Sequence, residues 1–277
     1  MTMPVNLILL RHGESEGNLA NDLSRNGDDS MFDDAFRSRY SASWNLTPKG
    51  VEQAKATGIW IKKNIGPYFD RYYVAEYHRA MQTAAHAGFD RADWRLEFLL
   101  RERDWGQLDV ATRGERRGKY AEEFKRRERD GFFWAPPGGE SMAHICLRID
   151  RVIQTLHREC SDKNVLIVCH GEVMWAFRVR LERLNQIKYR HLDSSANPYD
   201  KINNCQVIHY TRRDPKNSSD LRSSGIDDFG NGGQLMNHLS WMRSVCPWDE
   251  KLSSSNWQTL ERPTYSNEEL LEMTRVE

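Results

Sequence analysis

The sequence has no surplus of either charge: Lys plus Arg and Asp plus Glu both number 40 in 277 residues. A surface built to hold nucleic acid needs a basic excess, so no nucleic-acid partner is expected, although a local basic pocket is allowed. No apolar run approaches the ~20 residues that cross a bilayer. The cleanest, Val5–Leu10, runs straight into Arg11-His12 with no cationic leader before it. Neither a membrane segment nor a signal peptide is therefore expected. The five cysteines are odd in number and form no C-x-x-C pair, which argues against a disulfide framework or zinc knuckle and for a reducing cytoplasm. Nine histidines occur without any H-x-H, H-x-x-x-H or H-E-x-x-H spacing, so no metal or other cofactor is expected. Gly225, Gly230, Gly232 and Gly233 follow no buried strand and make no nucleotide fingerprint. What the chain does hold is nine Trp, ten Tyr and ten Phe, enough large apolar surface for a core. Its length suits one sizeable domain plus elaborations.

Short apolar runs predict strands at Val5–Leu10, 72–74, Leu96–Leu100, 165–169 and 206–210. Helical segments lie between them. Thr47-Pro48 places a hydroxyl cap before a proline at the first helical position, where its missing N–H costs nothing. Ser141 caps a second helix whose Ile145, Ile149, Val152, Ile153 and Leu156 form a stripe of helical period. A third follows Gly171, with Val173, Phe177, Leu181 and Leu184 aligned. This alternation argues for an α/β fold, a three-layer α/β/α sandwich around a mostly parallel mixed sheet. Residues 103–140 carry dense mixed charge and then Trp134-Ala135-Pro136-Pro137-Gly138-Gly139, an expected excursion over the active edge. Within it, 119–130 reads as an exposed helix with local ion pairs. Residues 211–277 read as a C-terminal extension, packed in part through Trp241, Trp248 and Trp257 or else disordered.

Chemistry concentrates at strand ends. In open α/β sheets ligands bind at the carboxyl edge, and the first strand delivers Arg11, His12 and Gly13 there. Arginine offers a fork of donors matched to phosphate or carboxylate oxygens. A histidine beside such an anion can serve as base or as nucleophile. Val168-Cys169-His170-Gly171-Glu172 repeats the pattern, with a helix start whose free N–H groups suit an anion. Arg79 follows the second strand and opens a helix. Together Arg11, His12, Arg79 and His170 would form a cationic pocket in a neutral protein. The other histidines read as surface or packing residues, and Ser24 and Thr47 as weak candidates for substrate contact.

Several motifs in order resemble the histidine phosphatase superfamily, in its phosphoglycerate mutase-like branch. They are Leu-Arg-His-Gly-Glu-Ser-x-x-Asn at 10–18, Leu-Thr-Pro-Lys-Gly-x-x-Gln-Ala at 46–54, Arg-Ala-x-Gln-Thr-Ala at 79–84, Leu-Arg-Glu-Arg-Asp-Trp-Gly at 100–106, Gly-Gly-Glu-Ser at 138–141 and Val-x-His-Gly-Glu at 168–172. In flavour the chain is nearest to the phosphoglycerate mutase-like acid phosphatases. The resemblance covers about residues 4–210. It implies that His12 attacks phosphorus and becomes a phosphohistidine, and that Arg11, Arg79 and His170 hold the equatorial oxygens. Asn18 and the Gly171 amide are implied as further substrate donors, and Glu102 as proton donor. Fixed cations are what phosphoryl transfer asks of a protein, and they also favour neutral imidazole.

The expectation is then a catalytic domain over 1–210 with an active-site cap at about 103–140, followed by the extension. It would act on a small-molecule phosphate ester without metal, and a homo-oligomer is allowed. A phosphomutase is the alternative, disfavoured because 103–140 lacks the Arg-Arg…Pro-Pro-Pro arrangement that guards mutases against water. A non-enzymatic interaction protein is a further alternative. Two departures touch the pocket: Ala75-Glu76 stands where the family commonly has Ser-Pro, and seven carboxylates lie between Glu14 and Asp34.

Overall fold

The computed structural model describes residues 1–216, 235–252 and 254–275; Gly225, Gly230, Gly232 and Gly233 lie outside them. Along the chain run β1 (Asn6–Arg11), α1 (Glu16–Arg25), α2 (Asp34–Ser38), α3 (Pro48–Asn64), β2 (Arg71–Val74), α4 (His78–His86) and β3 (Trp94–Leu96). Next come α5 (Arg113–Arg117), α6 (Ala121–Asp130), α7 (Met142–Glu159), β4 (Asn164–Cys169), α8 (Gly171–Leu181) and α9 (Gln186–Ser194). The chain then adds β5 (Val207–Thr211), β6 (Trp241–Val245), β7 (Ser254–Thr259) and α10 (Asn267–Glu272).

The sheet order is β3-β2-β4-β1-β5-β6-β7. β3, β2, β4 and β1 run parallel, and β5, β6 and β7 are each antiparallel to the strand before them in that order. Leu7 to Leu10 of β1 and Val165 to Cys169 of β4 are fully buried on both faces, as strands covered by helices must be. Two packed helix pairs supply the cover, α3 with α4 and α7 with α8. The result is the expected α/β sandwich with a mixed sheet.

The helices begin where local chemistry directs. Thr47 Oγ1 accepts from the Gly50 N–H at 3.1 Å ahead of Pro48. Ser141 Oγ accepts from the His144 N–H, while His144 Nδ1 accepts from the Ser141 N–H, a reciprocal cap for α7. Ile145, Ile149, Val152 and Leu156 of that helix are buried as their period predicts.

The third strand departs from expectation. Only Trp94 to Leu96 pair with β2, and Phe98–Leu100 form a 3-10 turn in place of a strand. Glu97 ends the strand because its carboxylate accepts from the Leu99 N–H at 3.0 Å. No strand is predicted beyond 235, yet β6 and β7 extend the sheet past β5. Trp257 packs edge-on to His209 at 5.0 Å, and the Trp248 indole N–H donates to the Asn204 carbonyl at 2.6 Å. In the 103–140 stretch, Leu108, Ala111 and Trp134 make a small core separate from the main one. α6 carries the Lys125–Glu122 and Arg126–Glu123 pairs. No helix of the described residues is long and apolar enough to cross a membrane.

Candidate active site

Parallel pairing sets Arg11 opposite Cys169, so His12 and His170 leave adjacent strands side by side at the carboxyl edge. Their rings are 5.1 Å apart, centre to centre. Both are buried. His12 Nδ1 lies 2.7 Å from the Gly13 carbonyl, a contact that requires the proton on Nδ1 and leaves a lone pair on Nε2. Arg79, at the start of α4, directs its Nε to that Nε2 at 3.2 Å. Burial first, then Arg79 and Arg11, hold the His12 pKa well below 6.5, so the ring is neutral at physiological pH. Burial, Arg79, His12 and Arg11 do the same to His170.

The glycines serve close approach, though not always to a ligand. A Cβ on Gly13 would stand 2.4 Å from the Gly50 carbonyl oxygen, and one on Gly50 would stand 2.0 Å from that of Glu14. Gly13 is therefore bare so that the start of α3 can press on the loop after β1. Gly171 is bare beside Arg11, whose Nε a Cβ would meet at 3.3 Å. It opens α8, whose cap residue His170 makes no side-chain capping bond. The helix N-terminus thus presents its first N–H groups and positive dipole end to the site.

Arg79 is anchored by the Ser41 carbonyl at 2.8 Å and lies over the Tyr77 ring. Tyr77 packs edge-on to His170 at 5.1 Å, which holds both groups laterally. Arg11 donates from Nη1 to the Ile202 carbonyl at 2.7 Å. Its buried Nε, and both ring nitrogens of His170, have no hydrogen-bond partner among the described residues. Buried polar nitrogens rarely stay unpaired; the Arg11 Nε–H and the single N–H of the neutral His170 ring are free donors in this cluster, fit to receive acceptor atoms.

Glu102 completes the cluster: its carboxylate oxygen and the ring nitrogens of His12 and His170 all lie within 4.8 Å of one another. Burial raises the Glu102 pKa above 4.5, against Arg79, the Arg103 N–H and Arg11, which lower it. That favours a carboxyl group able to give a proton. Among the described residues this is the one His/Cys/Asp/Glu group close enough to share a metal ion. Two guanidinium groups beside it oppose a second cation and suit an anion instead.

A network behind Glu102 fixes its backbone. Arg148 donates to the Leu99 and Glu102 carbonyls. Glu140 accepts from Arg148 Nε at 3.1 Å, from Arg148 Nη2 at 3.1 Å, from Arg101 at 2.9 Å and from the Asp104 N–H at 3.1 Å. Burial alone would raise the Glu140 pKa, but Arg148, the Asp104 N–H and Arg101 outweigh it and hold the group below 4.5.

Above the buried cluster opens a cavity of about 630 Å³ whose wall includes Arg11, Asn18, Glu102, Gly171, Asn203 and Asn204. The structure thus brings Arg11, His12, Asn18, Arg79, Glu102, His170 and Gly171 to one place. Asn18 Oδ1 accepts from the Ser15 N–H, the Ser15 hydroxyl and Asn204 Nδ2; no described bond engages its own Nδ2. Thr47 is absent from the cluster, because its hydroxyl is engaged with Glu14 and the α3 cap. Glu76 is exposed and lies outside the cavity wall.

Asn204 was not among the sequence candidates. Its Nδ2 donates to the His12 carbonyl at 3.2 Å as well as to Asn18. β5 is antiparallel to β1 with Val207 opposite Leu10, so residues just before β5 fall beside those just after β1. Only that register reveals the polar pair Asn203-Asn204 as part of the wall.

A family model described as "Histidine phosphatase superfamily (branch 1)" matches residues 7–213. The chain is 30% identical over 189 residues to a 2,3-bisphosphoglycerate-dependent phosphoglycerate mutase of Methylobacterium radiotolerans, covering 65% of this chain and 80% of that one. It is 31% identical over 172 residues to 6-phosphofructo-2-kinase/fructose-2,6-bisphosphatase 4 of Homo sapiens, covering 62% of this chain but only 31% of that protein. Among solved structures, a putative alpha-ribazole-5'-P phosphatase of Escherichia coli superposes with a TM-score of 0.59 at 20% identity, covering 84% of this chain and 96% of its own. A phosphoserine phosphatase of Entamoeba histolytica gives 0.56 at 23% identity, covering 76% and 91%.

Proposed function

The chain belongs to the histidine phosphatase superfamily (branch 1), and we propose that it is a metal-independent phosphatase hydrolysing a small phosphate monoester through a phosphohistidine at His12. The observation that carries this reading is the ring of donors beside a neutral His12 Nε2: the unpaired Arg11 Nε–H, the Arg79 guanidinium and the one N–H of neutral His170. Such a ring matches the equatorial oxygens of a phosphoryl group in flight.

His12 Nε2 attacks phosphorus, forming the P–N bond as the ester P–O bond breaks. The Gly13 carbonyl, accepting from Nδ1, stabilises the positive charge that develops on the ring. The departing oxygen keeps the bond's electron pair and takes the proton of Glu102. Water then attacks phosphorus and yields a proton to the Glu102 carboxylate while the P–N bond breaks. Phosphate leaves, and neutral His12 and protonated Glu102 are restored. Five free, buried cysteines support a reducing cytoplasm as its setting.

The test is hydrolysis of an aryl phosphate with and without chelator. Activity that ignores chelator, vanishes in His12→Ala and yields a phosphorylated residue 12 after acid-free quench supports the reading; unchanged hydrolysis in His12→Ala defeats it. The likeness to mutases at 30% identity motivates one further arm. Label passing from a phosphorylated donor to an alcohol acceptor, in place of free phosphate, would indicate a mutase.

A further inference from the structure

Beside the cavity lies a smaller pocket of about 250 Å³, lined by Asn21, Ser24, Arg25, Arg113 and Arg116. Asn21, Arg25 and Arg116 also line the larger cavity, so the two lie side by side. Three guanidinium groups converge there. Arg113 Nη1 donates to the Arg25 carbonyl at 2.5 Å, and Arg116 Nη2 to the Leu108 carbonyl at 3.0 Å. Arg116 Nε is buried with no partner among the described residues. Burial and then the Arg25 charge lower the Arg116 pKa, against Asp109 and Glu115, which raise it. The nearby acids are mostly committed elsewhere. Glu115 holds Arg37, Asp29 takes the Ser24 hydroxyl, and Asp22 pairs with Arg25 on the exposed side. Asp109, on the wall of the larger cavity, offsets part of the positive charge; what selects the ligand is the geometry of three guanidinium groups around an unpaired Arg116 Nε, which the three terminal oxygens of a phosphate can meet together and the two of a carboxylate cannot.

The helix sets the distance from the reacting phosphorus. Asn18, Asn21, Asp22 and Arg25 all face the cavity, at the three-and-four spacing of one face of α1. Seven residues along that face rise about 10 Å, from the His12 cluster beside Asn18 to the arginine pocket at Arg25.

Resting on the phosphatase reading, we infer that the pocket of Arg25, Arg113 and Arg116 holds a second phosphate of the substrate. The substrate class is then a bisphosphorylated small molecule whose two phosphates stand about 10 Å apart along an extended backbone. One phosphate meets His12 and the other the three arginines, so substrate length is measured along α1.

The test is calorimetric binding to the full chain carrying His12→Ala, which reads the pocket whether or not turnover occurs. Hexanediol bisphosphate is compared with hexyl phosphate, which lacks the second phosphate, and with propanediol bisphosphate, which is too short to span the sites. The expected result is tenfold or tighter binding of hexanediol bisphosphate than of either control. Arg113→Gln, at a position that lines the smaller pocket alone, should reduce that advantage to threefold or less while leaving hexyl phosphate affinity unchanged, and Arg116→Gln should reduce it likewise. Equal affinity for the three compounds, or an advantage that survives both substitutions, overturns the inference. The phosphatase reading stands or falls separately, on hydrolysis of hexyl phosphate by the unsubstituted protein.

Discussion

Glu140→Gln isolates the charge behind the proposed proton donor without changing its shape. The carboxylate accepts four hydrogen bonds, and its pair with Arg148 is largely shielded from water, with side chains 15% and 8% exposed. Breaking a buried pair by removing one partner costs about 3–5 kcal/mol. Glutamine keeps one acceptor oxygen, so the loss should fall near 2–3 kcal/mol, given that each hydrogen bond to a charged group contributes about 1.5–3 kcal/mol. At about 2–4 °C per kcal/mol for chains of this order, melting should fall by roughly 5–10 °C. Because the Glu140 pKa is held below 4.5, its stabilisation is complete above that value and lost as pH falls through the depressed one. The variant and the original protein should therefore converge in stability in acid. Arg148, left with an incomplete partner, also holds the Glu102 carbonyl less firmly. Turnover of an alkyl phosphate, whose leaving oxygen needs a proton, should then fall more than phosphorylation by an aryl phosphate, whose leaving group does not. Unchanged melting at neutral pH would refute the stability argument, and equal losses on the two esters would refute the link to Glu102.

Glu102→Gln should lower alkyl phosphate hydrolysis by about 10²–10⁴-fold. On an aryl phosphate it should give a burst of aryl alcohol with phosphohistidine accumulating, measured by quenched-flow and mass spectrometry; a parallel loss on both esters without a burst would count against its role. His12, His170 and His209 are all buried with pKa values well below 6.5, so each takes up its proton near 6.5 only on unfolding. Stability is full above 6.5 and falls below it, by about 1.4 kcal/mol per pH unit for each histidine. Denaturant unfolding of His209→Gln should show a slope shallower by about that amount, and an identical slope would contradict the assignment. Gly50→Ala forces a Cβ to 2.0 Å from the Glu14 carbonyl. Overpacking costs about 1–3 kcal/mol, so melting should drop and the loop bearing His12 should shift, read as loss of turnover in the still-folded protein.

Much of this is legible in the sequence, because the signals are local. Apolar runs mark β1 and β4, Thr47-Pro48 and Ser141 mark helix starts, and strand ends announce Arg11-His12 and His170-Gly171. Glu102 was recognisable only through a motif resemblance, since its charged neighbours make it look like solvated surface. Tertiary structure decided the rest. Asn204 joins the site through the antiparallel register of β5 on β1, and β6 and β7 persist by pairing where no apolar run calls for a strand. The arginine pocket exists because α1 and α5 bring Arg25 and Arg113 together across 88 residues of chain. Local propensity and periodicity are properties of neighbours in sequence. Convergence of charges from distant segments depends on how the sheet and its helices are packed, and a single sequence encodes that only through the fold.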